Sequence, residues 1–367
     1  MYCSDDLLSK LVSGEHKTRN GKVIALPTRS IVISETLDGL EYDLIKNIGF
    51  KAPFAIVSDQ KTYDVLGARV ERALHNFGDI TSICLDSNPH ADAETAETII
   101  NGLGPSSAII AVGSGTINDL CKYVASKCNI PYAVFATAPS MNGYTSVNAA
   151  ITTNGIKESV VAAMPRGVFM DLEILSKAPL RMIKSGLGDS ICRPMCQTDW
   201  LMAHLLHGSY YDPTPFELLI SEENKLFNFS ADLINGNLNC MRALARTLNL
   251  SGIGMTICGG SYPASQGEHL ISHLIEMTAD LDIAPSLHGE QIGVTTLVMA
   301  KLQEHMIKAG PPRLKPSKVC RDDVITAMGA KLGSACWKEF SQKIIPEESV
   351  DLLNKRLDSI WDDLTEH

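Results

Sequence analysis

Apolar positions along the chain follow two different periods. In the first half, short continuous apolar runs alternate with runs in which apolar residues recur every three to four positions. Residues 53–57 (Pro-Phe-Ala-Ile-Val) read as a buried strand that ends at Ser58-Asp59. A helix is expected over 61–77, with Val65, Leu66, Val70 and Leu74 on one face. A second strand covers 80–85, and 91–103 is a helix whose apolar side carries Ile99, Ile100 and Leu103. The third strand, 108–112, runs into Gly113-Ser114-Gly115 and a helix over 116–127; 131–135 is the fourth. Apolar strands alternating with helices imply a parallel sheet covered on both faces. Residues 147–161 carry a hairpin pattern turning at Asn154-Gly155. After about Pro165 the period is helical, over 186–208, 214–235, 239–248, 266–279, 289–309, 321–332 and 346–364. The expected architecture is a Rossmann-like α/β nucleotide-binding domain over 1–165 and an all-α domain over 166–367. A cleft between two such domains is the usual place for an active site.

Composition narrows the function classes. The 367 residues, 45% hydrophobic and 20% charged, can bury a sizeable core. The balance of 32 basic against 42 acidic residues gives −10, which argues against nucleic-acid or anionic-membrane partners. The apolar stretches 108–112 and 131–138 fall far short of the ~20 residues of a membrane span. Met1 to Asp6 is acidic and lacks the apolar core of a signal peptide. Ten cysteines without framework spacing read as reduced thiols in a cytoplasm. These features suggest an intracellular enzyme acting on small molecules.

Three groups of residues carry candidate chemistry. The first is the turn Gly113-Ser114-Gly115-Thr116-Ile117-Asn118-Asp119, where a strand feeds a helix. Glycine lets a phosphate approach the backbone, and the helix N-terminus offers N–H groups and a positive dipole end. The motif is short of Gly-x-Gly-x-x-Gly, since Asn118 takes the last position, and two glycines could equally serve turn geometry. Asp59, closing the first strand, could face an adenosine ribose or be an ordinary turn residue. The second group is the hydroxyl-rich loop from Thr137 through Ser140 and Asn142 to Ser146, typical of ligand loops at strand ends. The third is a set of metal-ligand types. Gly186-Leu187-Gly188-Asp189 places an acid after two glycines. His269 and His273, at i and i+4, share a helix face. His288-Gly289-Glu290 adds a third imidazole. One acid and two imidazoles would leave a coordination position open, as a catalytic divalent metal requires. Capping and packing roles for Asp189, His273 and His288 are the alternative. Cys192, Cys196, Cys121 and Cys128 read as core thiols. No Gly-x-Ser-x-Gly and no P-loop supports a serine hydrolase or an NTPase.

In order, these motifs resemble the iron-containing (group III) alcohol dehydrogenase superfamily, whose fold is shared with glycerol dehydrogenases and dehydroquinate synthases. The resemblance runs from about Pro53 to Leu302, and within the superfamily is strongest to the sn-glycerol-1-phosphate dehydrogenases. It implies a metal-dependent, NAD- or NADP-linked oxidoreductase that reduces dihydroxyacetone phosphate by hydride transfer, with glycerol or polyol dehydrogenase and dehydroquinate-synthase-like cyclase as rival activities. It implies cofactor contacts from Asp59, Gly113, Gly115, Thr116, Ile117, Asn118, Asp119, Thr137, Ser140 and Ser146. Asp189, His269 and His288 would hold Zn²⁺, or else Ni²⁺ or Fe²⁺. Asp189, His273 and Asn142 would meet the substrate, a phosphorylated triose or polyol. A homodimer or higher homo-oligomer is also implied. Two positions depart from the family pattern. Asn142 stands where Asp is usual, and Arg193 stands where iron alcohol dehydrogenases carry a fourth ligand, His. Arg193 suits a substrate phosphate or an ion pair with a nearby acid.

Overall fold

The computed structural model describes residues 7–19, 21–153, 156–278 and 286–366. Among these residues eight strands follow in chain order: β1 (Ser30–Ser34), β2 (Phe54–Asp59), β3 (Ile80–Leu85), β4 (Ile109–Gly113), β5 (Tyr132–Ala136), β6 (Asn148–Thr153), β7 (Ile156–Val161) and β8 (Gly167–Asp171). Six of them form one sheet in the order β1-β8-β5-β4-β2-β3, and every pairing is parallel. β6 and β7 make a separate antiparallel hairpin; its expected Asn154-Gly155 turn lies outside the described residues.

The side-chain period of two distributes each strand between two cores. Ala55, Val57, Ile109, Ala111, Val134 and Val168 pack with Ile117, Leu120 and Val124 of the helix Gly115–Cys128. Phe54, Ile56, Ile110, Val112, Phe135 and Phe169 face the other way, against Leu44, Ile45, Val70 and Leu74. Every residue of β2, β4, β5 and β8 is buried, which is why these strands lack polar alternation.

By packing, the chain forms two units. The first contains residues 1–193, 212–264 and 286–293, so the sheet's last strand and two long helices, Thr214–Phe229 and Leu238–Cys258, lie beyond the expected 165/166 boundary. Leu226, Met241, Leu244 and Leu248 of those helices join the first sheet core. The second unit contains 194–211, 265–285 and 294–367 and is helical among its described residues. Its core is Leu201, Leu206, Leu357, Trp361 and Leu364.

Several elements differ from their periodic signal. β1 and β8, five residues each, were not expected as strands. The helix expected over 61–77 is interrupted by a wide turn at Tyr63–Gly67, and the one over 321–332 by Gly329, whose φ is +76°. The helix expected over 239–248 runs ten residues further, as Leu238–Cys258, through Ser251, Gly252 and Gly254. Those glycines allow close contacts. A Cβ on Gly252 would sit 2.7 Å from the Asn142 carbonyl oxygen, and one on Gly254 would sit 2.8 Å from Pro215.

Candidate active site

The sheet direction reverses between β2 and β4. The chain steps outward from β2 to β3, then returns to place β4 on β2's other side. A crevice at the carboxyl ends of strands at such a switch point is where open α/β sheets bind dinucleotides. Asp59 ends β2 there, and Gly113 ends β4. Asp59 caps the turn that follows, its Oδ1 accepting from the Lys61 and Thr62 N–H groups at 2.9 and 3.0 Å. Neither Gly113 nor Gly115 has positive φ; the turn uses their missing Cβ atoms. A Cβ on Gly113 would press on Ile117 at 2.5 Å, and one on Gly115 would press on Met141 at 3.0 Å. The helix Gly115–Cys128 begins with the N–H groups of Gly115, Thr116 and Ile117; Asn118 donates the first helical bond, to the Ser114 carbonyl at 3.0 Å. Asn118 and Asp119 turn inward. The Asn118 amide donates to Asp119 Oδ1 at 3.1 Å, and Asp119 Oδ2 accepts from the Ala150 N–H of β6 at 3.2 Å.

The hydroxyl loop packs onto this turn. Thr137 N–H donates to the Gly113 carbonyl at 3.1 Å. Tyr144 Oη donates to the Ala138 carbonyl at 2.6 Å, and Ser146 Oγ to the Gly143 and Asn148 carbonyls at 3.1 and 3.0 Å. Sequence reasoning missed the residue that ties the loop together. Lys122 is fully buried, and its Nζ donates to the Gly143 carbonyl (2.6 Å), the Asn148 carbonyl (2.8 Å) and Ser146 Oγ (3.2 Å). The available signal was its i,i+4 position from Asn118 on a helix that is buried nearly all round. Burial lowers the Lys122 amine to about 8, opposed by the nearby Asp119 carboxylate. The unfolded chain, with the ordinary value near 10.5, therefore holds the proton more tightly above pH 8. Lys122 adds stability as pH rises through that window, and this is lost as pH falls through 8. Urea denaturation at pH 7 and pH 9.5 should show wild type gaining about 2 kcal/mol relative to Lys122→Met. A pH-independent difference would contradict the assignment.

Asp189 belongs to the helix Leu180–Ile191, and its position depends on two glycines before it. A Cβ on Gly186 would overlap the Pro139 carbonyl oxygen, and one on Gly188 would overlap that of Gly289. The helix can therefore lie directly against the hydroxyl loop and the start of the helix His288–Ala309. Buried Asp189 accepts the Asn142 N–H at 2.8 Å on Oδ2, and its Oδ1 lies 3.8 Å from His288 Nε2. The Asn142 amide donates to Ser251 Oγ at 3.2 Å. His288 is pinned from both sides. Gly289 N–H donates to Ser185 Oγ at 3.2 Å, and Glu290 makes a two-pronged pair with Arg181 at 2.7 and 2.8 Å while capping Leu287 N–H. Arg193 Nε lies 2.5 Å from Glu223 Oε1, with its guanidinium over the Phe216 ring, so it faces an acid.

His269 and His273 belong to the second unit, on the helix Gly267–Thr278. Their rings are 6.0 Å apart and nearly perpendicular; His269 is buried and His273 exposed. His269 Nδ1 lies 2.6 Å from Glu268 Oε1. Cys192 and Cys196 are buried thiols, and no disulfide forms among the described residues. Among the described residues no helix is long and apolar enough to cross a membrane.

A parallel sheet with a glycine turn at its switch point, followed along the chain by helices, is a dehydroquinate-synthase-like fold, and solved structures share it. A glycerol dehydrogenase from Schizosaccharomyces pombe superposes with TM-score 0.64 at 16% identity, covering 92% of this chain and 91% of that one. A 2-deoxy-scyllo-inosose synthase gives TM-score 0.52 at 18% identity, covering 75% and 74%. Residues 32–179 match the model of the iron-containing alcohol dehydrogenases. The NAD(P)+ glycerol-1-phosphate dehydrogenase of Thermococcus kodakarensis is 34% identical over 277 residues, 75% of this chain and 77% of the relative. That of Pyrococcus furiosus is 33% identical over 289 residues, covering 77% and 81%. The chain belongs to the iron-containing alcohol dehydrogenase family.

Proposed function

We propose that this chain reduces dihydroxyacetone phosphate to sn-glycerol 1-phosphate with NADH or NADPH, using one divalent cation bound by Asp189, His269 and His288. The observation that carries the reading is the Asp189–His288 pair. Their 3.8 Å separation is too long for a hydrogen bond. It is close to the roughly 3.4 Å between two ligands of one tetrahedral cation with ~2.1 Å bonds. A buried carboxylate oxygen beside imidazole nitrogen is a donor set suited to Zn²⁺, Ni²⁺ or Fe²⁺. The glycine turn also fits a pyrophosphate, since backbone approaches without Cβ atoms at a helix N-terminus.

When bound, the cation polarises the substrate carbonyl and offsets charge on its oxygen. A nicotinamide bound along the glycine turn would supply the hydride for the carbonyl carbon. The chain's own residues do the rest. Asn142 N–H fixes the orientation of Asp189. Ser185 and Arg181 hold the start of the 288–309 helix, and with it His288. Thr116, Ile117 and the rest of the turn bind the pyrophosphate through N–H groups, and Thr137, Ser140 and Ser146 shape the wall of the crevice. Asp59 faces the adenosine ribose. His273 gives its ring proton to the oxygen formed at C2.

The test is a substrate panel on one preparation, before and after chelation. NAD(P)H oxidation with dihydroxyacetone phosphate should exceed that with dihydroxyacetone by on the order of 10²-fold in kcat/KM, as expected for one charge-assisted phosphate contact. Chelation should remove the activity, and Zn²⁺, Ni²⁺ or Fe²⁺ should restore it. Equal rates with both ketones would make this a polyol dehydrogenase, and undiminished turnover after chelation would end the metal reading.

A further inference from the structure

The helix carrying His269 begins with an acid that the reaction above does not use. Glu268 is fully buried. One of its oxygens, Oε1, accepts three hydrogen bonds: from the Gln266 N–H at 2.9 Å, from Cys196 Sγ at 3.0 Å and from His269 Nδ1 at 2.6 Å. Among the described residues no Lys or Arg pairs with Glu268; its one ionisable partner of opposite sign is the imidazole. Asp199, in the same unit, is likewise held by neutral donors, the Gly267 N–H at 3.2 Å and Gln303 Nε2 at 3.0 Å. A buried carboxylate is costly unless positive charge or several donors offset it. Two carboxylates thus meet the first turn of the helix that carries His269, and among the described residues no basic side chain is paired with either.

We propose that Glu268 is the positioning residue for His269: it accepts the hydrogen bond from Nδ1–H, fixes the ring, and makes Nε2 a stronger donor to a divalent cation. The proposal rests on the reading of His269 as a metal ligand. A proton held on Nδ1 leaves the lone pair on Nε2. A carboxylate behind the ring raises its basicity and removes its rotational freedom. Cys196 and the Gln266 N–H hold the carboxylate, so the ring is oriented by a chain of contacts rather than by one flexible side chain.

The experiment titrates Co²⁺ into metal-free full-length protein, following visible absorption. It is done for wild type, His269→Ala, Glu268→Gln and Glu268→Asp, with folding checked by circular dichroism. Ring tautomers are read in parallel from imidazole ¹⁵N shifts. Glu268→Gln should weaken Co²⁺ binding roughly 10–100-fold and move His269 away from the Nδ1–H tautomer. Glu268→Asp keeps the charge, stands in should the Gln variant not fold, and should bind between the two. If His269→Ala binds Co²⁺ as wild type does, His269 is not a ligand and the underlying reading fails. If His269→Ala loses the ion while the folded Glu268 variants keep wild-type affinity and an unchanged tautomer, the positioning role is overturned.

Discussion

Asp189→Asn is expected to cut turnover with dihydroxyacetone phosphate by on the order of 10³-fold and to leave the purified protein without stoichiometric divalent cation. The substitution preserves shape, so the effect is one of charge. Asp189 is buried, and its Oδ2 accepts the Asn142 N–H at 2.8 Å. A neutral amide there can still accept that bond, but it supplies a much weaker ligand on the side facing His288. Elemental analysis and steady-state rates on the same samples separate the two effects. A variant that retains full metal and full activity would remove Asp189 from the site.

Gly188→Ala should destabilise the first unit by about 3 kcal/mol or more and abolish cation binding, because the added methyl meets backbone that has no room to yield. The obstructing atom is the Gly289 carbonyl oxygen, one residue from His288. Gly186→Ala meets the Pro139 carbonyl oxygen in the same way. The nearby Gly293 is a useful contrast. A Cβ there would come 3.2 Å from the Gly188 Cα, a tight contact that small shifts relieve, so Gly293→Ala should cost about 1 kcal/mol. Urea midpoints of the three variants test the ranking. Equal stabilities would mean that the helix Leu180–Ile191 is not held where these contacts place it.

Much of this arrangement is legible in the sequence, and the remainder is not, for definable reasons. The strands β2 to β5 were expected within two residues of where they lie; β2, β4 and β5 are buried on both faces and read as continuous apolar runs, while β3, at the sheet edge, is only partly buried and carries Thr81 and Ser82 among its apolar residues. β1 and β8 have equally apolar centres and the same five-residue length as β4 and β5, but β1's parallel partner, β8, is distant in sequence. The helix Leu238–Cys258 was expected to stop near Leu248 because glycine weakens helices locally. Tertiary contact overrides that preference, since Gly252 and Gly254 are where Asn142 and Pro215 approach. Motif order and spacing pointed to Asp189 and His288, which the fold brings side by side. Lys122 and Glu268 were missed because, whatever face a charge occupies, the sequence does not show which partners would make its burial tolerable. Only the acceptors around Lys122 and the donors around Glu268 show why each is tolerated.

Stereochemistry tests the proposed reaction most directly. Purified protein loaded with Zn²⁺ and supplied with NAD+ or NADP+ should oxidise sn-glycerol 1-phosphate, forming dihydroxyacetone phosphate and reduced nicotinamide, and should leave sn-glycerol 3-phosphate untouched. Oxidation of sn-glycerol 3-phosphate or of unphosphorylated glycerol, with none of the 1-phosphate, would contradict the account.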